Sequence, residues 1–253
     1  MMSQAGRHGR PVALVTGGSS GIGAATAVRL ATDGFDVAVG YRSGADRAEQ
    51  VAKEVRSAGG GALPVQLDVV STESVERAYR TVVAELGAPT VLVNSAGGFL
   101  ELHPFLEIDD ALWRRTLELN IVGTVNCCRA VLDGMVAAGG GRIVNLSSVV
   151  SRTGGAGESM HYAVSKGGID TLTLGLAREF GRHGVLVNAV APGLVDSAIH
   201  DDFRERFERL SSNYGLLNRA GTAEEIASVI AFLASDGGSF VTGQVWHVNG
   251  GAA

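Results

Sequence analysis

The chain is poor in cysteine, proline, aromatic residues and net positive charge, and it has no long apolar run. Its two cysteines, Cys127 and Cys128, are neighbours in a helical stretch, where a disulfide would be strained. No extracellular disulfide framework is implied, and a reducing cytoplasm fits. Five prolines, 45% hydrophobic residues and the lack of a low-complexity tract argue against disorder. No stretch nears the ~20 apolar residues of a membrane-spanning helix. The opening "MMSQAGRHGR" lacks the apolar core of a secretion signal, so residues 1–10 read as a flexible tail and no membrane association is expected. Lys and Arg number 21 against 26 Asp and Glu, giving a net charge of −5. That charge offers no positive field for nucleic acid or anionic lipid. The histidines His8, His103, His161, His183, His200 and His247 show no paired spacing of the zinc type, so no metal site is expected. What remains is chemistry on a small molecule.

What is present is an alternation. Nearly continuous apolar runs occur at 12–17, 36–41, 62–68, 90–97, 142–148, 185–193 and 244–251, the pattern of strands covered on both faces. Between them, helical spacing runs over 21–33, 45–58, 72–86, 109–138, 160–182 and 222–235. The last helix opens with a capping box, Thr222 with Glu225 three residues on. Alternating strand and helix predicts an α/β fold, a doubly wound seven-stranded parallel sheet with helices on both faces. No linker interrupts the rhythm, so residues 11–253 form one expected domain. The only long aperiodic stretch, 194–221, reads as a lid over a site.

The first strand ends in "TGGSSGIG", with Gly17, Gly21 and Gly23 just before a helix. This is not the G-x-G-x-x-G spacing, but the physical parts are the same. They are a tight turn, a close backbone approach, and free amides at a helix N-terminus that suit a pyrophosphate. The second strand ends in "GYRSG", with Tyr41 where an acid would meet ribose hydroxyls, then Arg42 and Ser43. A basic side chain there suits a 2′-phosphate, so NADP(H) is favoured and NAD(H) stays open. Further on, "MHYAVSK" puts Tyr162 and Lys166 one helical turn apart on one face.

The set "TGGSSGIG", "NSAG", Asn120 in "LELNIVG", Ser148 in "NLSSVV", "YAVSK" and "APG" resembles the short-chain dehydrogenase/reductase family in its single-domain form. The likeness runs over about residues 11–251 in motif order and spacing, and is strongest to the 3-oxoacyl-[acyl-carrier-protein] reductase branch. It implies a single-domain Rossmann fold and hydride transfer between nicotinamide and a carbonyl or secondary alcohol. Tyr162 would be the general acid or base, and Lys166 would bind the nicotinamide ribose and help ionise Tyr162. Ser148 would hold the substrate oxygen, with Ser147 as its rival, and Asn120 would link to the lysine through its backbone and water. The resemblance also implies cofactor contacts at Ser19, Ser20 and Ile22 in the turn. Others would come from Asp68 and Val69 after the third strand, and from Asn94, Ala96 and Gly97 of "NSAG". Pro192, Gly193, Val195 and Ser197 would complete them below the lid.

There are departures from the family pattern. Ser95 replaces an asparagine that ties the central sheet, and the serine-to-tyrosine loop carries one extra residue. Glu158 and Ser159 in that loop are candidate substrate contacts, and His161 is expected at the pocket rim or in packing. "VAAGGGR" replaces a basic patch before the fifth strand, which weakens docking of an acyl carrier protein, although Arg178, Arg182 and His183 keep it open. The long apolar helices 109–138 and 160–182 imply a homotetramer, or a dimer. A dehydrogenase of alcohols or sugars using NAD(H) is the alternative within the family. A non-catalytic nucleotide-binding regulator is the alternative outside it, and would call for a broken Ser–Tyr–Lys set. An epimerase or dehydratase on a nucleotide-linked sugar would call for a larger C-terminal substrate domain.

Overall fold

The computed structural model describes residues 6, 9–155, 157–196 and 203–252. The strands are β1 (Val12–Thr16), β2 (Asp36–Tyr41), β3 (Ala62–Gln66), β4 (Val91–Asn94), β5 (Gly141–Leu146), β6 (Val185–Pro192), β7 (Val195–Asp196), β8 (Gly221–Thr222) and β9 (Val245–Val248). Seven of them form one parallel sheet in the order β3-β2-β1-β4-β5-β6-β9. The seven apolar runs of the sequence are its seven strands.

The helices are α1 (Gly21–Thr32), α2 (Ala45–Ser57), α3 (Thr72–Glu85), α4 (Asp110–Leu117), α5 (Gly123–Ala137), α6 (Val150–Thr153), α7 (Met160–Phe180), α8 (Arg204–Ser211) and α9 (Ala223–Ala234). Successive strand side chains point to opposite faces, and β1 shows the result. Ala13 and Val15 join Leu30 of α1, Val51 of α2 and Ile230 of α9 in one core. Val12 and Leu14 join Val82 of α3, Val131 of α5 and Ala177 of α7 in the other. Both faces are therefore dry, which is why these strands read as unbroken apolar runs. No helix among the described residues is long and apolar enough to cross a membrane.

Local chemistry sets the boundaries. The capping box at α9 is present: Thr222 Oγ1 accepts from Glu225 N at 3.3 Å, and a Glu225 carboxylate oxygen accepts from Thr222 N at 2.9 Å. Two features depart from the sequence reading. The helix expected over 109–138 is interrupted by a π-helical turn, Glu118–Val122, which carries Asn120. The segment 194–221 is not wholly irregular either. Short strands β7 and β8 pair in parallel at its two ends, and α8 lies between them. Two-residue strands are too short to leave a periodic signal.

Chain connection reverses direction at β1, whose neighbours are β2 and β4. In such sheets the helices leave to opposite faces there, and a crevice opens at the strands' C-terminal ends. Every motif of the sequence analysis except the capping box lies along that edge.

Candidate active site

The glycine turn is built by close contact. Gly17 and Gly21 have φ of +62° and +52°, a region that side chains disfavour. Gly18 N donates to Gly40 O at 2.8 Å, holding the turn against β2. A Cβ on Gly23 would lie 2.2 Å from Gly17 O, so α1 can approach the turn only with glycine there. Ser20 caps α1 by position, yet its side chain makes no capping bond. The first amides of the helix are thus left for a ligand. Thr16, at the end of β1, had no expected role. Its Oγ1 accepts from Ser95 N and Ala96 N, both at 3.1 Å, and fixes the opposite wall.

These walls enclose a cavity of about 460 Å³ over the ends of β1, β4, β5 and β6. Gly17, Ser20, Gly21 and Ile22 line one end, and Ser95, Ala96 and Gly97 one side. Ser147, Ser148, Tyr162 and Lys166 lie along the middle. Pro192, Gly193 and Val195 lead to the lid, which contributes Arg206, Leu210 and Tyr214. Ser197 lies outside the described residues.

Ser148 and Tyr162 both line the cavity, and the serine hydroxyl is near enough to act on the phenol. Ser148 Oγ also accepts from Val150 N at 3.3 Å. Ser147 Oγ instead donates to the backbone oxygen of Lys166 at 3.3 Å, so of the two serines it is Ser148 that meets the tyrosine. Burial pushes the Tyr162 phenol up to about 12, against the lowering effect of Ser148. With its phenol raised, Tyr162 is a protonated hydroxyl at neutral pH. The lysine lies beneath the ring, with Nζ 5.5 Å from the ring centroid, and donates to Leu146 O at 2.6 Å. Burial pushes Lys166 down to about 8, opposed by Asp170 one turn further along α7. An ammonium held there faces the cavity wall and is still charged at neutral pH.

Several expected contacts sit elsewhere. The Asn120 side chain is held by protein groups. Its Oδ1 accepts from Gly98 N and its Nδ2 donates to Gly98 O, both at 2.9 Å, and Nδ2 reaches Ser165 Oγ at 3.1 Å. It fixes the loop after β4. The Asn94 side chain is turned away from the cavity: Nδ2 donates to Asn145 Oδ1 at 2.9 Å, and Asn145 Nδ2 donates to Thr173 Oγ1 at 2.9 Å. Asn94 makes the sheet tie expected at position 95, while Ser95, just past the strand end, lines the cavity. Val69 is buried against Gly123, where a Cβ would lie 2.6 Å from its side chain. Asp68 Oδ1 accepts from Val70 N at 3.2 Å, stabilising its own turn. Ser19, Gly23, Tyr41, Arg42 and Ser43 are outside the cavity wall, at the turn and at the end of β2. Arg42 is exposed and makes no ion pair or hydrogen bond among the described residues.

The aromatic frame was not foreseen. Phe99 meets Tyr162 edge-on at 5.9 Å and Phe203 at 5.4 Å. His161 is fully buried rather than on the rim. Its Nε2 lies 2.9 Å from Phe99 O, and its ring packs on Trp113. Tyr214, its phenol raised by burial, closes over Gly193, where a Cβ would come within 2.7 Å of its hydroxyl. Ser159 Oγ donates to Gly155 O at 2.8 Å, and Glu158 pairs with Arg206 of α8. These partners come from loops far apart in the chain, which is why spacing alone did not find them.

Comparison with known proteins agrees with this geometry. A family profile described as enoyl-(acyl carrier protein) reductase matches residues 17–253. The chain is 36% identical to the 3-oxoacyl-[acyl-carrier-protein] reductase FabG of Staphylococcus aureus over 239 residues, 94% of this chain and 96% of that one. It is 42% identical to the short-chain reductase protein NovJ of Streptomyces niveus over 247 residues, 95% and 93% of the two chains. Among solved structures, a blue fluorescent protein from a metagenomic library in complex with NADPH superposes with a TM-score of 0.85 at 34% identity, covering 96% of this chain and 98% of its own. With the sheet order, the glycine turn and the Ser148–Tyr162–Lys166 wall in place, the chain belongs to the short-chain dehydrogenase/reductase family.

Proposed function

We propose that the protein is an NADP(H)-dependent oxidoreductase that interconverts a ketone and a secondary alcohol. The observation that carries this reading is one cavity lined by Ser148 and Tyr162, with Lys166 beneath the tyrosine ring and the open N-terminus of α1 at its end. Three features fit a dinucleotide. The glycine turn leaves no room for side chains, the Ser20 hydroxyl is uncommitted as a cap, and the Arg42 guanidinium has no partner among the described residues. The α1 amides and Ser20 would hold the pyrophosphate, Arg42 and Ser43 the 2′-phosphate, and Lys166 the nicotinamide ribose. Bound there, the dinucleotide supplies or accepts the hydride.

The protein's part is proton handling and charge stabilisation. Ser148 and Tyr162 donate hydrogen bonds to the carbonyl oxygen, polarising it. As negative charge grows on that oxygen, Tyr162 gives up its proton. A phenol held up at about 12 is suited to stay protonated until then. The Lys166 ammonium beneath the ring stabilises the tyrosinate left behind. In the oxidative direction the same groups act in reverse. Consumption of reduced cofactor by ketones tests the activity, with loss of the Tyr162 hydroxyl as its control.

Cofactor choice has a separate test. Arg42→Ala is expected to weaken NADPH binding by about tenfold while leaving NADH within about twofold, since a hydrogen-bonded charge contributes roughly 1.5–3 kcal/mol before solvent screening at an exposed site. Titration of both cofactors into both proteins measures it. Equal losses for the two would remove Arg42 from the site. The relative's complex with NADPH supports this choice.

The reading does not rest on acyl carrier docking; Arg178, Arg182 and His183 form a small exposed basic group at the end of α7, with Arg182 Nε donating to His183 Nε2 at 3.2 Å. Subunit association through α7 is supported by Val164 and Leu174 on its outer face, at 51% and 41% exposure.

A further inference from the structure

The cavity wall carries two cations, Lys166 and Arg206, and no carboxylate among the described residues. Lys166 donates to Leu146 O and lies beneath the Tyr162 ring, and its remaining donors are those assigned above to the nicotinamide ribose. Arg206 is differently placed. Its side chain is 19% exposed, and its one ion pair, to Glu158 (34% exposed), is made through Nε alone. A guanidinium has five N–H donors, so the four on Nη1 and Nη2 meet no protein acceptor among the described residues. Leaving charged donors largely buried and unpaired is costly unless water or a ligand meets them.

The helix carrying Arg206 is held in place. Phe207 buries its ring in the core side of α8, Phe203 meets Phe99, and Arg204 pairs with Asp196 of β7 at 2.7 Å. Leu210, one turn beyond Arg206, also lines the cavity, so this face of α8 is the roof over the substrate end. The cavity wall also holds the apolar Phe99, Leu102, Val150 and Leu194, with the neutral hydroxyls of Thr153, Ser159 and Tyr214. Glu158 thus fixes one edge of a planar fork and leaves its two outer nitrogens, which match a carboxylate in geometry.

We propose that Arg206 seats a carboxylate of the substrate, so that the preferred substrates are oxo acids rather than neutral ketones. This rests on the reductase reading above and names its substrate class. An apolar chain between ketone and carboxylate would lie along Phe99, Leu102 and Val150. The cavity of about 460 Å³ must also take the nicotinamide, so the acid is a small one.

The test compares kcat/KM for oxo acids of graded chain length with that for their methyl esters, in wild type, Arg206→Met and Arg206→Gln. The two replacements guard against one failing to fold, and thermal melting checks both. Wild type should prefer an acid over its ester. Each replacement should lower the acid's kcat/KM by about ten- to a hundredfold, the loss of a charge-assisted pair, and leave the ester within about twofold. NADPH affinity should not change. Equal loss for acid and ester would make Arg206 only a strut of the lid and overturn the proposal, as would a wild-type preference for esters. Loss of NADPH affinity would assign the fork to a cofactor phosphate and overturn it too. Should neither acid nor ester turn over, a saturated carboxylate that raises the melting point of the wild-type NADPH complex but not of Arg206→Met would keep the anion site and sink the reductase reading. No shift in either protein would sink both.

Discussion

Tyr162→Phe is expected to lower kcat by about 10²–10⁴-fold, the usual contribution of a positioned acid or base. The replacement removes one hydroxyl and little else. The ring keeps its edge contact with Phe99 at 5.9 Å and its place above Lys166 at 5.5 Å, so the wall stays in shape. Ser148 keeps the Val150 amide, so the stability cost is at most about 1 kcal/mol, the size of one net hydrogen bond. Cofactor titration should match wild type, because the phosphate end of the site lies at the α1 turn. Steady-state turnover and NADPH titration on the same sample measure both. Residual kcat within about tenfold of wild type would move the proton donor to another group.

The second large effect is structural. Gly23→Ala would bring a Cβ within 2.2 Å of Gly17 O, closer than real contacts allow. Neither side can yield cheaply. Gly17 sits at φ +62° with the Ala96 backbone 2.9 Å from where its own Cβ would be, and Gly23 is packed in the first turn of α1. Helix and turn must part, at a cost of about 1–3 kcal/mol for overpacking. In a domain this size each kcal/mol shifts Tm by about 2–4 °C. The displaced helix end is also the expected pyrophosphate seat, so NADPH affinity should fall by at least about tenfold, equivalent to ~1.4 kcal/mol. Gly181→Ala, at the C-terminal end of α7 where φ is −57°, is the control. Its Cβ would meet nothing within 4 Å, and alanine there should stabilise by about 0.5–1 kcal/mol without touching NADPH binding. Melting curves and cofactor titration separate the two variants; a Gly23→Ala protein that binds NADPH as wild type would contradict the role given to the turn.

These two residues also show how much the sequence could say. The spacing of Tyr162 and Lys166 on a helix was enough to place them on one face, and the structure keeps them there. It could not show that Lys166 reaches under the ring to Leu146 O, because that carbonyl comes from β5. The glycines at 17, 21 and 23 announced a close approach, but which backbone Gly23 meets depends on how the turn folds back. The central strands β1, β4 and β5 were legible because both faces are buried, making burial and sequence the same signal, and the part-buried edge strands β3 and β9 still carry short apolar runs. The roles of Asn94 and Ser95 were exchanged because a one-residue step at a strand end decides whether a side chain enters the helix layer or the cavity. Phe99, Phe203, Tyr214 and the Glu158–Arg206 pair were not legible at all. They meet through loops whose paths only the folded sheet determines.

The central claim is that this cavity passes hydride between a nicotinamide and a carbonyl carbon with Tyr162 as the proton donor. The most direct measurement is consumption of NADPH by the wild-type protein against a panel of ketones and oxo acids, with the reduced product identified. The account predicts turnover with at least one of them, giving the secondary alcohol in step with NADPH oxidised. Tight NADPH binding with no alcohol formed from any carbonyl compound would contradict it and leave a nucleotide-binding protein that does no chemistry.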